Sequence, residues 1–366
     1  MIPIRVLHVV GNMDAGGMET LVMNWYRKID KSVVQFDFLV HTKKKAFYED
    51  EINSLGGRVY HFSILDDKNI FKYIRQLYVF FRIHKEFEII HGHHSALGPI
   101  YLFLAKISGV KTRISHSHIA SYSKSFRGRT KYLITRFFGT FANYHFACSV
   151  AAGRYMYGNV EFEVINNGID VERFKFRLEN RREIRSDFNI NESQLLIAHV
   201  GRFHDQKNHS FIIDVFYEIK KMFDSSKLLL VGQGPLKDKT EEKVRKLDLM
   251  DDVIFAGSRS DVEKILSASD VFIFPSLYEG LPLTVVEAQC SGLPVICSDN
   301  VTTETKLTDL YNTMSLNESP QKWARKIHDL INAPINRSSS FNLIRQAGYD
   351  SVDVVNKIQN FYLNNI

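Results

Sequence analysis

The sequence predicts an α/β protein made of two doubly wound parallel-sheet domains, and three observations lead there. The chain has 366 residues, more than the ~100–200 of one domain. Short apolar runs alternate with segments of helical spacing, as in parallel strands joined by crossover helices. A polar, Arg-rich stretch at about 170–193 interrupts that alternation, which then restarts. A composition of 45% hydrophobic and 24% charged residues is that of a globular chain and excludes wholesale disorder.

The first half opens on Ile4-Arg-Val-Leu-His-Val-Val10, an apolar run closed by Gly11, as expected of a strand buried on both faces. Gly16-Gly17 leads into 18–26, whose apolar spacing suits a helix. Residues 36–40 and 59–62 read as strands, 47–55 and 70–84 as helices, and 89–91, 112–115 and 145–148 as later strands. After the polar stretch, 195–200, 227–231, 253–256, 271–274 and 294–297 read as strands with helices between them. Two Rossmann-like halves across a cleft follow, with domains at 1–168 and 169–348. Residues 349–366 read as a terminal helix returning to the first.

Net charge is +6, from 47 Lys/Arg against 41 Asp/Glu, and it is unevenly spread. Residues 1–165 carry 22 bases and 13 acids, while 89–160 hold nine bases and no acid at all. Within that stretch Lys124, Arg127, Arg129 and Lys131 interleave with aromatics, a pattern that suits an anionic membrane surface. The same residues could grip phosphates, or form a solvated helix face. No zinc-finger or RNA-recognition signature supports a nucleic-acid partner. Three cysteines without CxxC spacing exclude a disulfide framework and suit a reducing compartment. The first residues lack the pattern of a signal peptide, and no apolar stretch reaches the ~18 residues of a membrane span, so a cytoplasmic location is expected.

Several segments could carry chemistry. Gly16 and Gly17 join a strand to a helix, where backbone N–H groups can approach an anion, although neither a P-loop nor a GxGxxG fingerprint is present. His91, His93, His94, His116 and His118 gather at strand ends, where α/β sheets bind ligands. No carboxylate lies near them in sequence, so a metal site is not expected. Arg202 and Lys207 follow a strand in Gly201-Arg-Phe-His-Asp-Gln-Lys-Asn208 and could neutralise a diphosphate, or be two solvated loop cations. The most specific segment is FPSLYEGLPLTVVEAQCSGLPVICSD, where Gly280 opens a loop and Pro282 suits a helix start. Glu279 lies before that helix and Glu287 within it; two carboxylates so placed can hold hydroxyls of a ribose and a hexose.

Together with GRFHDQKN, the early AGGME and INNGID at 165–170, that segment resembles the GT4 family of retaining, GT-B-fold glycosyltransferases, in particular its exopolysaccharide- and capsule-type bacterial members. The resemblance runs from residue 4 to about 310. It implies that Gly16 and Gly17 approach donor phosphate or sugar, and that His116 contacts the transferred sugar, with His93 and His118 as further sugar or acceptor contacts. It implies that Arg202 and Lys207 bind the diphosphate, that Glu279 holds the transferred sugar, and that Glu287 holds the ribose. The resemblance further implies that Gly280, Leu281, Leu283 and Thr284 supply phosphate-binding amides, and that Gly232, Ser258 and Arg259 flank the nucleobase.

The expected function is thus a metal-independent hexosyl- or N-acetylhexosaminyltransferase with a UDP-sugar donor. No cofactor is expected. The acceptor would be a lipid-linked saccharide, met at the inner face of the plasma membrane by a peripherally bound enzyme. With one Glu on the sugar and the other on the ribose, a double displacement lacks a nucleophile, so front-face retention is expected. A sugar-nucleotide epimerase or hydrolase on the same scaffold, or a non-catalytic basic scaffold, remains as an alternative.

Overall fold

The computed structural model describes residues 2–14, 16–62, 64–67, 69–93, 95–119, 135, 137–334 and 336–366. Lys124, Arg127, Arg129 and Lys131 lie outside the described residues, as does His94. The chain divides into two compact units, Met1–Asn167 with Ser351–Ile366, and Gly168–Asp350. The sequence places the break one residue later and starts the terminal helix at 349; the helix spans Ser351–Asn364 and belongs to the first unit.

In the first unit β1 (Ile4–Val9), β2 (Val34–Val40), β3 (Val59–His61), β4 (Phe87–Gly92), β5 (Thr112–Ser117), β6 (Tyr144–Ala147) and β7 (Glu163–Val164) form one sheet. Its order is β3-β2-β1-β4-β5-β6-β7, with every pairing parallel, so the direction of winding reverses between β1 and β4. Strand alternation sends Leu7, Val9, Leu39 and Ile90 to one face, under helices Ile70–Ile83 and Gly98–Ile107. Val6, Phe36, Phe38 and Ile89 face the other side, against helix Gly17–Lys28 and the C-terminal helix. The apolar run that begins the chain is central to its sheet because both faces of β1 are covered.

The second unit contains β8 (Leu195–Val200), β9 (Ser226–Val231), β10 (Val253–Gly257), β11 (Val271–Phe274), β12 (Val295–Ser298) and β13 (Tyr311–Met314). The order β10-β9-β8-β11-β12-β13 is the doubly wound one, again all parallel, and reverses between β8 and β11. β13, with its half-exposed polar residues, was not legible as a strand.

The Arg-rich stretch reads as a polar connector, yet it contains helices Val171–Phe174 and Leu178–Asp187. Arg185 is 1% exposed. It donates to the carbonyls of Ala268, Asn191 and Gln194 and pairs with Asp270 at 2.7 Å. Arg337 likewise serves the carbonyls of Leu266, Ser267, Ser269 and Ser291, and burial pushes its guanidinium down to about 9. Such arginines look solvated in a sequence but act as internal crosslinks, since each satisfies several carbonyls at once. Replacing Arg185 by Met should destabilise the second unit by about 3 kcal/mol, because it strands buried carbonyls and half of the Asp270 pairing. Urea unfolding followed by circular dichroism checks this; a cost below about 1 kcal/mol contradicts the crosslink.

Candidate functional site

The loops that leave β8 and β11 emerge side by side at the carboxyl end of the second sheet, where the strand order reverses and a ligand crevice forms. They are laced together: Leu277 N–H donates to Gln206 O at 2.8 Å, and Gln206 Nε2 to Tyr278 O at 2.9 Å. Lys207 ends the 3-10 turn Asp205–Lys207, and Asn208, in the left-handed region at φ 57°, redirects the chain into helix His209–Lys220. Across the gap Lys207 Nζ meets Glu279 Oε1 at 2.6 Å, with side chains 18% and 9% exposed. The ammonium also stands 4.6 Å from the centre of the Phe274 ring. Partial burial makes this pair matter more than a surface ion pair, because removing either partner leaves a poorly hydrated charge.

Beyond Glu279 the chain reaches helix Leu283–Cys290 through Pro282. The backbone N–H groups of Gly280, Leu281, Leu283 and Thr284 donate to no acceptor among the described residues. At a helix N-terminus next to a lysine, unfilled donors of this kind suit a phosphate or another anion.

An open pocket of about 420 Å³ lies at the carboxyl ends of β8, β9 and β10, lined by Arg202, Gly232, Ser258 and Arg259 among others. Gly232 has φ +141°, and a Cβ there would collide with the Gly201 carbonyl, so only glycine lets these two loops approach. Arg259 is held in place by both oxygens of Asp261, at 2.8 and 2.6 Å. Arg202 is exposed.

Glu287 is half-buried, and burial pushes its carboxyl up to about 7, against the opposing charge of Arg173 and with the added repulsion of Glu263. Arg173 itself donates to Glu263 at 2.8 Å and to the Ser260 carbonyl. The sequence reading missed Arg173 and Glu263, which lie outside every recognisable motif and reach Glu287 through the fold. A carboxylate kept where ionisation is disfavoured is a mark of a functional position.

In the first unit alternation brings His8, His91 and His116 to one face of the sheet, where they gather with His93 and His118 beneath Trp25. Two hydrogen-bonded chains run through the group. One links His8 Nδ1 to His93 Nε2 at 3.0 Å and His93 Nδ1 to His118 Nε2 at 2.8 Å. The other links the Tyr362 hydroxyl to His91 Nδ1 at 2.6 Å, and His91 Nε2 to His116 Nδ1 at 3.0 Å. A buried phenol hydrogen needs an acceptor, so Tyr362 donates to His91, His91 donates to His116, and His116 keeps its proton on Nε2. That Nε2 is buried and has no partner among the described residues. Burial pushes His8 and His118 down to about 3 and holds His91, His93 and His116 well below their ordinary value, so all five are neutral at physiological pH.

His93, His116 and His118 bring one nitrogen each within 4.8 Å of one another. Imidazoles that share an ion carry it in their ring planes and splay around it. His116 and His118 instead lie face to face, with centroids 4.3 Å apart and planes at 23°, an arrangement suited to stacking. His116 and His93 are 0% and 7% exposed, whereas His118 is half-buried and offers the more accessible edge. At Gly16 and Gly17, the first helix starts beside Asp14 and Glu19, and burial together with Asp14 raises the Glu19 carboxyl. Two acids at that helix start suit sugar hydroxyls better than a phosphate, which narrows the expectation from sequence.

Both halves of the chain have family relatives. Residues 180–347 match the family described as glycosyl transferases group 1, and residues 15–173 match glycosyltransferase family 4. The putative glycosyltransferase EpsF of Bacillus subtilis (strain 168) is 36% identical, over 98% of this chain and 96% of its own. The chain therefore belongs to the family-4, group 1 glycosyltransferases, and it is an enzyme. The Escherichia coli UDP-Gal:alpha-D-GlcNAc-diphosphoundecaprenol alpha-1,3-galactosyltransferase is 24% identical over 72% of each chain. Anabaena HepE, solved in complex with UDP, has the same GT-B fold: the TM-score is 0.79 at 16% identity, covering 98% of this chain and all of that one.

The Glu287 shift has a consequence for stability. The folded protein resists an ionisation whose midpoint in the unfolded chain is near pH 4.5, so a destabilising contribution grows as pH rises past 4.5 and is complete above about 7. Glu287→Gln should raise the melting temperature of the ligand-free protein by a few degrees at pH 8 and leave it unchanged at pH 4.5. Equal melting temperatures at pH 8 contradict the buried carboxyl.

Proposed function

We propose that this glycosyltransferase moves a hexose or N-acetylhexosamine from a UDP-sugar to a lipid-linked saccharide during capsular or exopolysaccharide assembly. It acts with retention and without a metal. The observation that carries the reading is the Lys207–Glu279 pair with four unfilled backbone N–H groups in the loops at the reversal of strand order, next to the strand ends of β8, β9 and β10 that line an open pocket. The E. coli relative is named for a UDP-sugar donor and a diphosphoundecaprenol-linked acceptor, and HepE was crystallised with UDP, which supports the same donor and acceptor classes here.

In this reading the base occupies the pocket at Gly232, Ser258 and Arg259, and Glu287 accepts from the ribose hydroxyls. Arg202, Lys207 and the amides of Gly280, Leu281, Leu283 and Thr284 hold the diphosphate. Glu279 accepts from hydroxyls of the sugar, and Gly16, Gly17, His116 and the accessible edge of His118 provide further sugar or acceptor contacts. When the bond from C1 to the β-phosphate oxygen breaks, its electron pair leaves with UDP, and the cations and amides stabilise that charge in place of a metal. The acceptor hydroxyl forms the new bond to C1 from the same face, and its proton passes to the departing phosphate oxygen. Attack from the face that the leaving group departs retains the configuration at C1; the other retaining path, a double displacement, needs a free carboxylate nucleophile, whereas Glu279 is engaged by Lys207. No helix among the described residues is long and apolar enough to cross a membrane, which is compatible with peripheral work at the inner face of the plasma membrane.

The test is incubation of the protein with UDP-, GDP- and ADP-sugars, with and without a polyprenyl-diphosphate-linked saccharide, in EDTA. Transfer from one UDP-sugar only when acceptor is present, giving a product of the donor's anomeric configuration, is expected. A changed sugar nucleotide without acceptor would identify an epimerase or hydrolase instead. Transfer that requires added divalent metal would contradict the charge assignment.

A further inference from the structure

Helices Ile70–Ile83 and Gly98–Ile107 cover the same face of the first unit's sheet and pack against each other. Their inner sides are filled by Leu77, Phe81, Tyr101 and Leu102, which are buried. The side turned to solvent is not polar in the ordinary way. On the first helix Phe71 is 83% exposed, Ile83 68%, Val79 46% and Tyr78 39%; on the second, Ile107 is 53% and Phe103 42% exposed. Scattered apolar residues on a surface need no explanation, but six large ones on two adjoining helices form a patch.

The charges between them have one sign. Lys72, Arg75, Arg82 and Lys106 are exposed, and neither helix contains an Asp or Glu. Lys72 is paired with Asp67 at 2.7 Å. Arg82 bonds to the Tyr78 hydroxyl, and Arg82, Arg75 and Lys106 have no acidic partner among the described residues. Around the first helix, at 100° per residue, Phe71, Arg82, Arg75 and Val79 follow one another within about a quarter turn, so cations and apolar side chains share one outward stripe.

We propose that this two-helix face docks the enzyme on an anionic lipid bilayer. Phe71, Val79, Ile83 and Phe103 enter the boundary between headgroups and acyl chains, and Arg75, Arg82 and Lys106 extend to lipid phosphates. A second copy of the chain fits this face poorly, because a symmetric contact would set its uncompensated cations against themselves. The assignment differs from the basic segment at 124–131 singled out in the sequence. It deepens the proposed function and rests on that reading for its purpose, since a lipid-linked acceptor requires the enzyme at the bilayer; its geometry stands apart from that reading.

Flotation of the full chain with phosphatidylglycerol/phosphatidylcholine vesicles, and with phosphatidylcholine alone, tests it. Wild type should bind the anionic vesicles at least tenfold better than the neutral ones. Phe71→Ser with Ile83→Ser, and separately Arg75→Glu with Arg82→Glu, should each lower anionic binding at least tenfold. Both variants should keep the wild-type thermal shift with UDP and wild-type transfer to a short-chain, water-soluble acceptor. No binding by wild type, unchanged binding by both variants, or a dimer in sedimentation that the variants dissociate would each overturn the proposal. Loss of the UDP shift in wild type would instead strike the proposed function and leave the docking result to be read on its own.

Discussion

One ion pair organises the second unit's site. β8 and β11 are neighbours in the sheet but far apart in sequence, and winding proceeds in opposite directions from them, so no helix fills the space above their carboxyl ends. The loops there need something to hold them at a fixed spacing. Lys207 and Glu279 do so at 2.6 Å, helped by the backbone contacts of Gln206. The same contact presents a cation to one side and a carboxylate to the other. It also sets the position of the Gly280–Thr284 amides, which follow Glu279 directly in the chain. Structure and chemistry thus share one interaction, and its partial burial keeps it directional.

The candidate sites of the two units treat their polar groups in different ways. In the second unit, charge is retained and compensated: Arg185 and Arg337 crosslink carbonyls, and Arg173 faces Glu263 and Glu287. At the histidine cluster of the first unit burial instead removes charge, and five neutral histidines are linked by hydrogen bonds and stacking. A neutral layer ending in a His116 Nε2–H that has no partner among the described residues suits a polyol, for which a donor is useful and a fixed charge is not. A cationic, amide-lined site suits a diphosphate.

Much of this was legible in the sequence. Buried parallel strands read as unbroken apolar runs, so β1, β8, β9 and β11 could be placed to within about two residues. Glu279, Gly280 and Pro282 announced a strand-loop-helix turn because each residue type has a local reason to be there. What sequence could not show was long-range. Tyr362 lies 271 residues from the histidine whose proton it directs. The arginines of 173–185 look like a linker because a guanidinium satisfied by carbonyls has no signature in composition. The short Glu163–Val164 strand and β13 lack the apolar run that marks the others. The charge asymmetry was visible, but its exposed, apolar-flanked part emerges only once helix Ile70–Ile83 shows which side it buries.

The central claim is that Lys207 and Glu279 act as one unit, and a double-mutant cycle on transfer addresses it most directly. If each residue depends on the other for its position, Lys207→Ala and Glu279→Ala should each lower kcat/KM by about a hundredfold to a thousandfold, and the double variant should be scarcely worse than either. Multiplicative losses in the double variant, or near-normal transfer in either folded single variant, would contradict the account.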